Sequence, residues 1–247
     1  MKNKSIHWAI FSLFGVLLTM QGNAQTSIGW HRNEGQQWLQ LYGQGQIADR
    51  WWVLPDASYR WRGGREKSKT LLRLGIGYDI QPKLRLTAGV GYFESFQTDL
   101  KVQSEWRPYQ EVTYKSPRKK GTLGFRLRVE ERFNRYYEEE GASTQHDFQV
   151  RIRPRVSYAL PVWKKEDSLY SLYFTVADEL FINPNKLNYM STLQNRFMLG
   201  PELRMGNELK LNMTYNAQVA GTTMDAEYRY TNVLWLRATY RFDLRKK

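Results

Sequence analysis

The chain has 247 residues, no cysteine, a net charge of +13, and 16 Tyr and 9 Trp among its 15% aromatic residues. The lack of cysteine excludes a lipidated N-terminus, disulfides and thiolate metal sites. The arginines sit mainly on one face of alternating segments rather than in a run or a helical stripe. The charge is therefore expected to be enclosed, and nucleic acid is not an expected partner.

The chain opens Met1-Lys2-Asn3-Lys4, runs apolar from Ile6 to Met20 and reaches a small-residue site at Gly22-Asn23-Ala24. A charged start, a short apolar core and a small-residue end predict a signal peptide over residues 1–24, cleaved before Gln25. Its core is shorter than the ~20 apolar residues a helical span needs. Residues 25–247 carry no linker or composition shift and are read as one domain. No second long apolar run follows, so no transmembrane helix is expected.

From about residue 70 to the C-terminus the pattern has a period of two. In Leu209–Val219 the apolar Leu209, Leu211, Met213, Tyr215, Ala217 and Val219 alternate with Lys210, Asn212, Thr214, Asn216 and Gln218. Such alternation marks a strand with one oily and one wet face. The same reading predicts strands at Leu71–Ile80, Leu84–Phe93, Leu123–Phe133, Phe148–Leu160, Leu193–Met205 and Val233–Asp243. Weaker patterns lie at Trp38–Gly45, Trp51–Trp61, Trp106–Tyr114 and Tyr170–Ile182. Pro154 and Pro201 each remove a ladder donor, so bulges are expected there.

The connections alternate between short and long. Ala48-Asp49, Gln81–Lys83, Ser116–Gly121, Pro161–Ser168 and Gly206-Asn207 are short. Arg62–Lys69, Glu94–Glu105, Asn134–Gln145, Asn183–Thr192 and Ala220–Arg229 are longer. This is the rhythm of periplasmic turns and extracellular loops in an outer-membrane barrel. It makes the strand before Ala48 descend, so Thr26–Arg32 is expected to climb before it. The fold expected is all-β: a transmembrane up-and-down antiparallel β-barrel of twelve strands, with ten as the next count. Both termini would then be periplasmic.

Sidedness follows from energy. Leu123, Phe125, Leu127 and Val129 oppose Arg126, Arg128, Glu130 and Arg132, while Val150, Ile152 and Val156 oppose Arg151, Arg153 and Arg155. An arginine on the lipid face costs about 2–4 kcal/mol near the midplane, and several on one strand would exceed a domain's stability of about 5–15 kcal/mol. These residues are expected to line the lumen. Glu179, Arg196 and Glu202 join them by the same parity, with Glu111 nearby. The layers either brace a filled barrel or line a narrow pore for a small anionic solute. Asp178 falls on the outer face by parity, which predicts a local bulge or a place at the rim.

Several segments match a known family: Glu105-Trp106-Arg107-Pro108-Tyr109-Gln110, Arg128-Val129-Glu130-Glu131-Arg132-Phe133 and Arg151-Ile152-Arg153-Pro154-Arg155. Asp178-Glu179-Leu180-Phe181-Ile182-Asn183 and Gln194-Asn195-Arg196-Phe197-Met198-Leu199-Gly200 extend the match. The chain resembles the Gram-negative outer-membrane proteins grouped as domain of unknown function 2490. The resemblance implies an outer-membrane barrel and supplies no activity.

An enzymatic alternative is a phospholipase or lipid A deacylase with a rim site near His146, Ser143 and Thr144. No catalytic residue is assigned. Glu138-Glu139-Glu140 reads as a solvated loop tip before it reads as a cation site, and no metal or other cofactor is expected. Gly75, Gly77, Gly89 and Gly91 read as space for large lumen neighbours. Trp51, Trp52 and Trp61 read as interface anchors. The remaining partners expected are outer-membrane lipids and, during insertion, the barrel assembly machinery, for which the strand ending Tyr240-Arg241-Phe242 is a signal.

Overall fold

The structure is a computed structural model that describes residues 29–245, apart from 34, 139–142, 165–167, 185–192 and 222–226. The expected signal peptide lies outside the described residues. Twelve strands form one sheet. They are β1 (Gly29–Arg32), β2 (Gln36–Gln46), β3 (Trp51–Arg62), β4 (Glu66–Gln81), β5 (Leu84–Gln97) and β6 (Leu100–Arg118). There follow β7 (Gly121–Tyr137), β8 (Ser143–Lys164), β9 (Tyr170–Ile182), β10 (Leu193–Met205), β11 (Leu209–Gly221) and β12 (Glu227–Asp243). Neighbours from β2 to β12 pair antiparallel, and β12 returns to β2 to close a transmembrane barrel.

The closure is parallel. Val233–Asp243 runs alongside Gln36–Gln46, and Gly29–Arg32 runs alongside Glu227–Tyr230 in the same direction. The total is twelve strands, but eleven close the barrel, and β1 continues the line of β2 along β12. β1 is therefore not a climbing strand before a descending one. Gly29 and Asp243 lie at opposite ends of the barrel, so the climbing first strand on which the expectation of two periplasmic termini rested is not formed. A short first strand with only four residues can be extended against β12 without a reversing turn, and the break at residues 33–35 is all that separates it from β2.

The stagger is regular. Hydrogen-bonded partners followed from Gln40 through β3 to β8 arrive at Asp147. Followed the other way through β12, they arrive at Pro161, fourteen residues along β8. With eleven strands this corresponds to a strand tilt of roughly 40–45°, the usual barrel range. The even stagger keeps each residue on the same face all the way round, since side chains alternate with a period of two.

The short turns and the end of β12 gather at one end. At the other end the expected long loops Arg62–Lys69 and Glu94–Glu105 are mostly strand. β3 and β4 are joined by Gly63–Arg65, and β5 and β6 by Thr98 and Asp99 alone, both at positive φ as a two-residue hairpin turn requires. Beyond the membrane both faces are wet, so alternation fades while backbone pairing continues.

The expected bulges at Pro154 and Pro201 are absent. Pro154 pairs with Leu127, Pro201 pairs with Phe174, and neither site shifts the register. Each proline opens the ladder on one side only: β8–β9 pairing resumes at Arg155, and β10–β11 pairing resumes at Glu202.

Outer positions are large and apolar. Leu72 is 65% exposed, Leu41 59% and Trp106 56%. Aromatic pairs band this wall at both ends: Trp51–Tyr78 and Tyr240–Phe242 near the short turns, Tyr92–Trp106 and Phe133–Phe148 toward the other end. Trp52 corrects the reading of the tryptophan pair. Adjacent strand residues face opposite ways, so Trp51 looks outward while Trp52 is buried inside, donating Nε1–H to Asp79 at 2.7 Å.

Asp178 also differs from expectation. It faces outward in unbroken register, opposite Val156 and Phe197, with Val176 and Leu180 on the same face of β9. It is neither at a bulge nor at a rim. Asn195 Nδ2 donates to its carboxylate at 2.9 Å, so the two polar groups satisfy each other inside an apolar wall.

Candidate functional site

The barrel interior is built by the alternate residues of β2 to β12. On β7, Arg128 and Glu130 are buried while Phe125, Leu127 and Phe133 are exposed; on β8, Arg153 is buried while Phe148 and Val156 are exposed. In a single closed sheet the hidden side of a strand is the lumen.

Six of these groups close a ring of alternating charge. Glu130 meets Arg153 at 2.6 Å, and Arg153 meets Glu179 at 2.8 Å. Glu179 pairs with Arg126, which approaches Glu111 at 3.6 Å. Glu111 holds Arg128 at 2.5 Å, and Arg128 returns to Glu130 at 3.7 Å. Neighbours extend the ring. Arg107 lies 3.6 Å from Glu130 and 2.7 Å from Glu105, Glu105 holds Arg132 at 2.6 Å, and Arg196 reaches Glu179 at 3.5 Å.

Aromatic rings pack against the arginines of this layer. Arg107 lies 3.7 Å over Phe93 and Arg128 4.6 Å over Tyr109, while Arg153 and Arg196 lie 4.5 and 4.7 Å over Phe181. Such contacts gain strength when water is excluded. Exposure of Glu105, Glu130 and Glu179 is 1%, 0% and 1%. A buried carboxylate is tolerable only when paired and hydrogen-bonded, and here each faces at least two guanidinium groups. A Cβ on Gly75 would lie 2.3 Å from the Tyr109 hydroxyl, and one on Gly89 2.7 Å from its ring. These glycines make the room Tyr109 occupies.

Of the ten residues singled out in the sequence, seven fall in this network: Arg126, Arg128, Glu130, Arg132, Arg153, Glu179 and Arg196. Glu202 lies apart toward the short-turn end, holding Arg204 at 2.5 Å and accepting from Asn212 at 2.7 Å. Arg151 donates to Asn183 at 3.2 Å. Arg155 has no carboxylate within 4 Å among the described residues.

Sequence reasoning missed Asp56, Trp38 and Arg60. Asp56 pairs with Arg73 and accepts from Gln40 at 2.7 Å, and Arg60 lies 3.9 Å over Trp38. The inner face of β3 also carries Trp52 and Leu54, so neither of its faces reads as polar. Glu139, Glu140 and the side chains of Ser143 and Thr144 lie outside the described residues. Among the described residues no group of three or more His, Cys, Asp or Glu is placed to hold a metal ion.

A closed sheet with an apolar wall and a charged interior defines a transmembrane β-barrel. The family model described as protein of unknown function (DUF2490) matches residues 35–229, and the chain belongs to that family. No curated protein matches. Among solved structures, a NanC porin is similar at 12% identity with a TM-score of 0.43, over 70% of this chain and 77% of that one. A mutant ferric enterobactin receptor (PfeA) from Pseudomonas aeruginosa is similar at 10% identity with a TM-score of 0.31, over 71% of this chain and 35% of that one.

Proposed function

We propose that the protein is an outer-membrane β-barrel whose lumen is braced by the charged ring and does not conduct freely. The observation that carries this reading is Glu130, fully buried at mid-lumen between Arg153, Arg107 and Arg128. A through-channel at this level would wet that carboxylate. An eleven-stranded barrel is intermediate in width between filled eight-stranded and open sixteen-stranded examples, so side chains of arginine and phenylalanine size can fill it.

In this reading the short turns and the end of β12 face the periplasm, and the aromatic bands sit at the two lipid interfaces. Insertion would use the barrel assembly machinery, with Tyr240-Arg241-Phe242 as its signal. A narrow solute pore is the second reading, favoured by a polar cavity between the ring and the short turns. Nothing in the described geometry or the comparisons supports an enzyme at His146.

Planar-bilayer recording tests the proposal. Purified barrel should show no stepwise conductance at either polarity, and Glu130→Ala with Arg153→Ala should introduce it. Steps from the unaltered protein would overturn the braced reading in favour of the pore.

A further inference from the structure

Between the charged ring and the short turns the lumen holds a cavity of about 190 Å³. Three of its lining groups are cationic, Arg155, Arg237 and Lys210, and one is acidic, Glu202. Glu202 is already engaged by Arg204 and Asn212. None of the three cations has a carboxylate within 4 Å among the described residues. The Arg237 side chain donates to the neutral amide oxygen of Gln40 at 2.8 Å.

Residues that line the cavity also carry unmet hydrogen-bonding groups. Arg155 Nε, Thr175 Oγ1 and Trp235 Nε1 are buried without a hydrogen-bond partner among the described residues. Two of these atoms can only donate, and the hydroxyl can donate as well. The ring above shows the opposite condition, in which each carboxylate is shared among several arginines. An excess of buried positive charge with unfilled donors is costly unless something accepts from it.

We propose that this cavity is a binding site for one small oxyanion, a carboxylate or phosphoryl group, entering from the short-turn end. Arg155 would supply the planar guanidinium fork that matches two oxygens. Arg237 and Lys210 would supply charge. The closed ring ends the cavity, so the site would hold an anion rather than pass it. In that respect the inference rests on the braced lumen.

Isothermal titration of the purified barrel in neutral detergent tests it, with inorganic phosphate and acetate as separate probes in low-salt buffer. One probe or both should bind at one per barrel. Binding should weaken about tenfold or more in Arg155→Gln and in Lys210→Gln, and stay unchanged in the exposed Arg245→Gln. Phosphate without acetate would identify a phosphoryl ligand, and acetate binding a carboxylate. Lys210 lies beside a turn, so its variant keeps the test open if Arg155→Gln fails to fold. Failure of both probes to bind folded protein, or binding unaffected by either lumen substitution, would overturn the site. Conductance reports on the ring independently of this titration.

Discussion

Neutralising Glu130 probes the brace most directly. In Glu130→Gln the shape remains, but Arg153, Arg107 and Arg128 lose a carboxylate at 2.6, 3.6 and 3.7 Å. One pair at about 4 Å is worth about 4 kcal/mol at an effective dielectric of 20. Removing one partner of a buried pair costs about 3–5 kcal/mol. Each arginine here keeps a second carboxylate: Glu179 for Arg153, Glu105 for Arg107 and Glu111 for Arg128. The loss should therefore fall at the lower end, about 3 kcal/mol. Urea titration of the barrel in lipid vesicles, followed by tryptophan fluorescence, would read it as a lower midpoint at unchanged slope. The paired variant Glu130→Leu/Arg153→Met removes both charges and should recover at least half of that loss. A cost below about 1 kcal/mol for Glu130→Gln, typical of solvent-exposed pairs, would refute a desolvated ring.

Other substitutions test sidedness and packing by the same titration. Trp52→Ala should cost about 3–5 kcal/mol as a buried aromatic deletion, while the adjacent, outward Trp51→Ala should cost clearly less; equal costs would contradict the assigned faces. Gly89→Val should destabilise by about 1–3 kcal/mol through overpacking, because its Cβ would lie 2.4 Å from the Leu74 carbonyl and 2.7 Å from Gly75 Cα. Asp178→Val/Asn195→Val should stabilise the barrel in vesicles by about 1 kcal/mol, since a lipid-facing carboxylate is unfavourable. A loss of stability there would show that the pair serves the fold.

The strands β4, β5, β7, β8 and β10 to β12 were legible because their alternation is strong. Leu123 to Glu130 carries its apolar and charged residues on opposite parities, and the same parity separates the exposed Phe125 and Leu127 from the buried Arg128 and Glu130. The extensions of β3 to β8 past the expected loops were not legible. Lys67, Lys69, Glu94 and Lys101 lie in these extensions, and polarity there says nothing about pairing. The role of Asp56 was hidden in a strand whose two faces are both rich in apolar residues.

The amino-acid sequence by itself determined the class of fold and the face each strong strand presents, because lipid penalises a misplaced guanidinium by more than local structure can recover. Tertiary structure alone decided how the sheet closes and which charges meet. Parallel pairing of β12 with β2 links residues about two hundred positions apart, and the ring joining Glu111, Arg126, Glu130, Arg153 and Glu179 depends on the fourteen-residue stagger that brings four strands to one level. Period-two patterning assigns a side chain to a face. Its height in the barrel, and so its partners, come from register, which many weak backbone pairings set together.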